Sequence, residues 1–240
     1  MGSGVMKLQV LYEDNHILVV VKPPNVLSQE DDTGDADMLT LCKEYVKEKY
    51  NKPGNVYIGL VHRLDRPVGG VMVFARTSKA ASRLSEEIRS RSLKKGYMAV
   101  LRGCPQKQSA RLEDYLVKDS RKNQVRVARE NEEGAKKASL SYSVEGRAEG
   151  LCLVRIELET GRPHQIRVQF ASRGCPLYGD QRYGANVNVK GEQIALWSYH
   201  LSFMHPTLKE RMEFFAYPPC EYPWNMFDIE AVKVRNHGAL

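Results

Sequence analysis

The 240-residue chain carries 36 Lys and Arg against 29 Asp and Glu, a formal net charge of +7. That length allows one large domain or two small ones with a substantial core, and 42% hydrophobic beside 27% charged residues excludes wholesale disorder. The longest aliphatic run, Ile17–Val21, falls far short of the ~20 apolar residues of a bilayer-spanning helix, so the chain reads as a non-membrane protein.

Met1–Val5 has neither a basic n-region nor an apolar h-region, and residues 1–6 are expected to be an expression remnant before the fold. Leu8–Tyr12 and Ile17–Val21 are predicted strands joined by the polar turn Glu13-Asp14-Asn15, with Lys22-Pro23-Pro24 ending the second. Ala36–Tyr50 is predicted helical, with Leu39, Cys42, Val46 and Tyr50 at three- and four-residue steps. Gly70–Ala75 is a short apolar strand, after which Thr77 or Ser78 caps a helix whose inner face is Ala81, Leu84 and Ile88. Strands are then expected at Tyr97–Arg102, Arg111–Val117, Gln124–Ala128, Ala138–Val144 and Leu151–Leu158, the last on an alternating, half-buried pattern. Pro163 suits the first turn of a helix ending before Gly174, and Ile194–Phe203 with Arg211–Ala216 form a closing strand pair. Strands in consecutive runs with a few helices between them favour an α+β fold with a mainly antiparallel sheet. Residues 7–224 are expected to form one domain and 225–240 a peripheral tail.

Charge is unevenly distributed. Residues 62–102 hold ten basic and three acidic side chains, whereas 30–37 hold five acidic and no basic ones. The basic stretch suggests a surface facing a polyanion. The five cysteines, Cys42, Cys104, Cys152, Cys175 and Cys220, are scattered without C-x-x-C spacing, so neither a disulfide framework nor a cysteine zinc site is expected, and the protein reads as cytoplasmic. His62, His164, His200 and His205 lack metal-ligand spacing, and no phosphate-binding loop, dinucleotide fingerprint or nucleophile elbow occurs.

Two stretches combine glycine, proline and dense charge beside apolar strands: Val61-His62-Arg63-Leu64-Asp65-Arg66-Pro67-Val68-Gly69-Gly70, and Thr160-Gly161-Arg162-Pro163-His164-Gln165-Ile166-Arg167. A rigid scaffold presenting such loops is where function concentrates. Asp65 between Arg63 and Arg66 is expected to be ionised, hence a nucleophile or base and not an acid.

His62-Arg63-Leu64-Asp65 resembles the catalytic motif of the RluA-type RNA pseudouridine synthases. Tyr12-Glu13-Asp14 through Lys22-Pro23 resembles that family's first motif, and Lys95-Gly96-Tyr97-Met98-Ala99-Val100 its tyrosine motif. Thr160–Val168 followed by Pro176-Leu177-Tyr178-Gly179-Asp180 resembles its third motif, and Leu201–Pro206 fits the strand that follows. The set spans Leu8 to Tyr217 in the family's order, with Val68-Gly69 and Pro163 as departures at loop positions. On this reading the chain starts directly at the catalytic domain.

The resemblance implies a bent, mainly antiparallel sheet with flanking helices and an active-site cleft. It also implies an isomerase that breaks the N-glycosidic bond of a uridine in structured ribosomal or transfer RNA, rotates the uracil and closes a C–C bond. No cofactor and no metal would be needed, and a monomer is expected. Asp65 would be the ionised carboxylate, Arg167 its bidentate partner and Tyr97 the surface on which the uracil stacks. His62, Arg63, Lys95, Arg162, His164 and Gln165 would contact RNA as the base flips out. Two other classes stay open: a catalytically silent RNA-binding protein on the same scaffold, and a carboxylate-dependent nucleoside hydrolase.

Overall fold

The computed structural model describes residues 7–119 and 124–237; the expected expression remnant, residues 1–6, lies outside the described residues. The chain divides into two compact units, one formed by residues up to Leu93 with His200–Ala216, the other by Lys94–Tyr199 with the residues from Tyr217.

In the first unit, β1 (Gln9–Glu13) and β2 (Ile17–Lys22) form an antiparallel hairpin. Its turn is closed by Asp14, whose carboxylate accepts the N–H groups of His16 at 2.7 Å and Ile17 at 2.8 Å. His205 Nε2 also lies 2.8 Å from the Asp14 carboxylate. Helix α1 (Met38–Lys49) starts at Asp37, whose side chain accepts the Thr40 N–H. The two-residue strand β3 (Gly59–Leu60) pairs with β4 (Gly69–Ala75), and β4 pairs with β2. Both β2 and β4 are buried along their whole length, which explains their near-continuous aliphatic sequences: neither has a solvent face to alternate toward. Helix α2 (Ser78–Arg89) is capped by Thr77 and lays Ala80 and Leu84 on a core of Ile17, Val19, Val71, Val73, Leu201 and Phe203.

The second unit is an antiparallel series. β5 (Lys94–Arg102) pairs with β9 (Leu151–Leu158), β9 with β8 (Lys136–Ala148), β8 with β6 (Ser109–Asp119), and β6 with β7 (Gln124–Ala128). Helix α3 (Gln165–Ala171) seats Val168 in an apolar cluster with Leu116, Val125 and Ala138. Strand β10 (Leu196–Met204) contributes residues to both units, and its part from His200 pairs with β11 (Arg211–Phe215). Toward the C-terminus, a 3-10 turn over Trp224–Met226 leads to α4 (Ile229–His237), which buries Val232.

The architecture is α+β, as expected from the runs of strands. One expected boundary is corrected: Pro163 does not open a helix. His164 adopts a left-handed conformation (φ 51°, ψ 19°) and the Gln165 N–H closes a turn onto the Arg162 carbonyl at 3.2 Å, so α3 begins two residues later. The expected half-burial of Leu151–Leu158 is also corrected, because Leu151–Val154 are all buried and only the far end alternates.

Candidate active site

His62, Arg63 and Asp65 lie in the first unit, on the connection entering β4. That connection is held from several sides. Ser28 brackets Leu64, its hydroxyl donating to the Leu64 carbonyl at 2.8 Å and accepting the Leu64 N–H at 3.1 Å. His62 is buried, and its Nε2 accepts the Val73 N–H at 3.0 Å, tying the segment to β4. The Asp65 carbonyl accepts the Val68 N–H at 2.9 Å, closing a turn. Gly70 has φ 122°, a conformation that side chains rarely adopt, so the departure Val68-Gly69-Gly70 keeps a glycine where the backbone needs one. The result is a half-buried Asp65 on a rigid loop with Arg63 and Arg66 exposed on either side; Arg66 pairs with Asp35 at 2.7 Å.

Lys22 is the residue at this loop that sequence reasoning missed. Its side chain is 0% exposed, and its ammonium donates to the carbonyls of Pro23 (3.0 Å), Val26 (2.6 Å) and Arg66 (2.9 Å). Three protons meet three acceptors. Burial pulls its pKa down to about 7, against the Asp65 charge that raises it and with the Arg66 charge that lowers it further. The signal in the sequence was a lysine closing a run of five aliphatic residues. A depressed folded-state pKa means the folded chain holds this proton less tightly than the unfolded chain does. The stability it governs is therefore full near pH 10.5 and lost as pH falls to about 7. Lys22→Met removes that dependence, so the wild-type advantage over the variant should grow between pH 7 and pH 9.5 in chemical denaturation. A pH-independent difference would show that the buried amine does not titrate there.

Lys95, Tyr97, Arg162, His164, Gln165 and Arg167 lie in the second unit. Lys95 and Tyr97 share one face of β5, in register with Leu158 and Ile156 of β9. Tyr97 is buried; Lys95 is half-buried near Gly161, and burial pulls its pKa down to about 8. Gln165 is buried with its amide engaged at both ends. Its Oε1 accepts from the Thr160 hydroxyl (2.8 Å) and the Arg162 N–H (3.0 Å), and its Nε2 donates to the Ser139 carbonyl (3.0 Å). Arg162 Nε donates to the Lys137 carbonyl at 2.9 Å. Gln165 thus pins the turn before α3 to β8.

Arg167 projects from α3 with its guanidinium almost fully buried. Nε and Nη2 each donate to Asp180, at 2.8 Å, in a two-point fork. The Asp180 carboxylate also accepts the N–H groups of Arg182 and Tyr183. Burial pushes its pKa up, but the guanidinium and these amides more than reverse that and hold it below the usual carboxylate range. The loop bearing Asp180 is locked by Asn188. Its Oδ1 accepts the Gly179 N–H at 2.9 Å, and its Nδ2 donates to the Leu177 carbonyl at 2.9 Å. Gly179 (φ 72°) admits no side chain, since a Cβ would sit 2.3 Å from the Gln193 carbonyl oxygen. Sequence reasoning had Asp180 inside a motif but gave it no role.

Among the described residues no three His, Cys, Asp or Glu side chains gather so as to hold a metal ion, and no helix is long and apolar enough to cross a membrane.

The sequence profile described as RNA pseudouridylate synthase matches residues 16–172. The chain belongs to that family. It is 32% identical over 221 residues to an uncharacterized RNA pseudouridine synthase of Aquifex aeolicus, covering 86% of this chain and 68% of the relative. It is 32% identical over 211 residues to the ribosomal large subunit pseudouridine synthase C of Escherichia coli, covering 85% of this chain and 64% of the relative. The chain therefore spans about two thirds of the length of these curated relatives. Its fold matches that of human RNA pseudouridylate synthase domain containing 1, with a TM-score of 0.75 at 22% identity over 100% of this chain and 98% of the other. The RluA-type resemblance and the pseudouridine synthase fold class are borne out, and the enzyme class that goes with them is an RNA pseudouridine synthase, an isomerase.

Proposed function

We propose that this chain isomerises specific uridines of structured ribosomal or transfer RNA to pseudouridine. The family match over residues 16–172 carries this reading, and the rigid presentation of Asp65 supports it. The N1–C1′ bond breaks, the freed uracil turns, C5 bonds to C1′, and the C5 proton is lost as N1 gains one, so no atom is added and no electron is exchanged. The chain's own residues need only supply an ionised carboxylate, an aromatic platform and cations. Asp65 is the carboxylate, acting on the sugar or the base. Tyr97 supplies the platform; stacking one base on an aromatic ring contributes ~1–3 kcal/mol. Arg167, held by Asp180, is the guanidinium that the resemblance pairs with Asp65.

Arg63, Lys95, Arg162 and His164 are the proposed RNA contacts. His62 and Gln165 fit a supporting role better, because both are buried and bonded to protein groups. The half-buried amine of Lys95 would gain a phosphate as counter-charge. The exposed Lys79, Arg83, Arg89 and Arg91 of α2 and its C-terminal turn would grip the backbone while the base flips, at a cost of a few kcal/mol. The protein is proposed to act as a monomer in the cytoplasm, with no cofactor and with residues 7–224 as the catalytic domain.

Mapping pseudouridines in cellular RNA with and without the protein, then reproducing the change with purified protein on the transcript, tests this. RNA bound without any isomerised uridine would instead favour the silent RNA-binding reading, and activity on free uridine would favour the nucleoside hydrolase. Affinity for RNA should also fall steeply with salt, because residues 62–102 concentrate a net +7. Four phosphate contacts would give log affinity a slope of about −3 against log salt; a flat dependence would show that this stretch does not face RNA.

A further inference from the structure

Tyr183 touches four groups of the second unit at once. Its phenol oxygen accepts the Val125 N–H of β7 at 2.9 Å and lies 2.7 Å from His164 Nδ1. Its ring meets the imidazole edge-on, centroids 5.7 Å apart at 70°, and the Arg167 guanidinium carbon lies 5.3 Å from its centroid. Its backbone N–H donates to Asp180 Oδ1 at 3.2 Å. One residue therefore contacts His164 and both members of the Arg167–Asp180 pair.

A phenol oxygen offers one O–H and acceptor lone pairs lying roughly in the ring plane. The Val125 amide can only donate, so it takes the lone-pair position. Along the direction to His164 Nδ1 the phenol either donates its O–H or accepts with a second lone pair, and donation is the arrangement inferred here. Burial pushes the phenol pKa up despite the nearby Val125 amide and arginines, so this proton stays in place. A neutral imidazole whose Nδ1 accepts carries its own proton on Nε2. His164 is held in this orientation although its φ of 51° is uncommon for a residue with a side chain, a strain that persists only where the surroundings over-determine it.

We propose that Tyr183 is a positioning residue for uridine isomerisation: its hydroxyl fixes the orientation of His164 and its Nε2–H form, and its ring face seats the Arg167 guanidinium. The catalytic part rests on the pseudouridine synthase reading above; the tautomer part does not.

Tyr183→Phe keeps the ring and removes the O–H, whereas Tyr183→Leu removes both. In the 15N-labelled full chain at a pH where His164 is neutral, the wild type should show its ring proton on Nε2, and Tyr183→Phe a mixture of tautomers. On unmodified transcripts of large-subunit ribosomal RNA and transfer RNA, Tyr183→Phe should lower kcat three- to tenfold, as the loss of one hydrogen bond implies, with the RNA Kd within twofold. Tyr183→Leu should lower kcat about tenfold more through loss of the ring under Arg167. A wild-type His164 protonated on Nδ1, or a Tyr183→Phe enzyme with wild-type kcat, overturns the proposal. If the wild type modifies neither RNA while His164 carries its proton on Nε2, the catalytic reading and the positioning role fall together and the tautomer assignment stands.

Discussion

Asp65→Asn should abolish pseudouridine formation while leaving the fold almost intact. The substitution keeps the shape of the side chain and removes its charge. A positioned carboxylate acting as base or nucleophile contributes at least ~10²–10⁴-fold, so turnover should fall by that factor or below detection. The loop is held chiefly by other groups. Its turn is closed by the Asp65 carbonyl and the Val68 amide, and its neighbours are pinned by Ser28 and His62. An electrostatic cost comes from Lys22, whose buried ammonium the Asp65 charge favours. A loss of ~1 kcal/mol would lower the melting midpoint of a chain this size by ~2–4 °C. Single-turnover assays on the transcript, beside thermal melts of both proteins, separate the two effects. Substantial turnover by purified Asp65→Asn would remove Asp65 from the chemistry, and a midpoint lowered by tens of degrees would make the carboxylate structural.

What the sequence made legible depended on locality. The cap of α2 sits where a small polar side chain can reach an N–H three residues on, and of Thr77 and Ser78 it is Thr77 that caps; the Asp37 cap of α1 was not anticipated. The expected bounds of β7 and β9 match those observed, since turn residues fence each run. Failures arose where long-range packing decides. β3 is too short to show a period, and α4 was missed because its apolar residues do not gather on one face. The burial of His62 and Gln165 was hidden because each is a polar residue in a segment dense in charged side chains. Motif order identified Asp65, Tyr97 and Arg167 as candidates but could not reveal the partners that hold them. Lys22 owes its role to three backbone carbonyls, one of them 44 positions away, which no side-chain pattern reports. Asp180 reaches Arg167 only because Gly179 and Asn188 shape the intervening loop.

That Arg167–Asp180 pair sets the largest stability effect to be expected. Both side chains are nearly inaccessible, and the fork between them satisfies a charge that burial would otherwise oppose. Removing one member deprives the other of its two-point fork in a dry environment, at a cost of up to ~3–5 kcal/mol. Asp180→Ala should therefore lower the melting midpoint by roughly 6–20 °C at ~2–4 °C per kcal/mol. It should also reduce turnover in the surviving folded protein, since Arg167 loses its orientation. Arg167→Lys is a milder probe. It keeps the charge but gives up the planar two-point contact, so turnover should fall far more than RNA affinity or stability. The decisive comparison is the double variant Asp180→Ala with Arg167→Met. The double variant removes both charges of this pair together, so it should be more stable than Asp180→Ala alone, while remaining inactive. A double variant as unstable as the sum of its single variants would show that the two side chains stabilise the loop through packing and not through their charges.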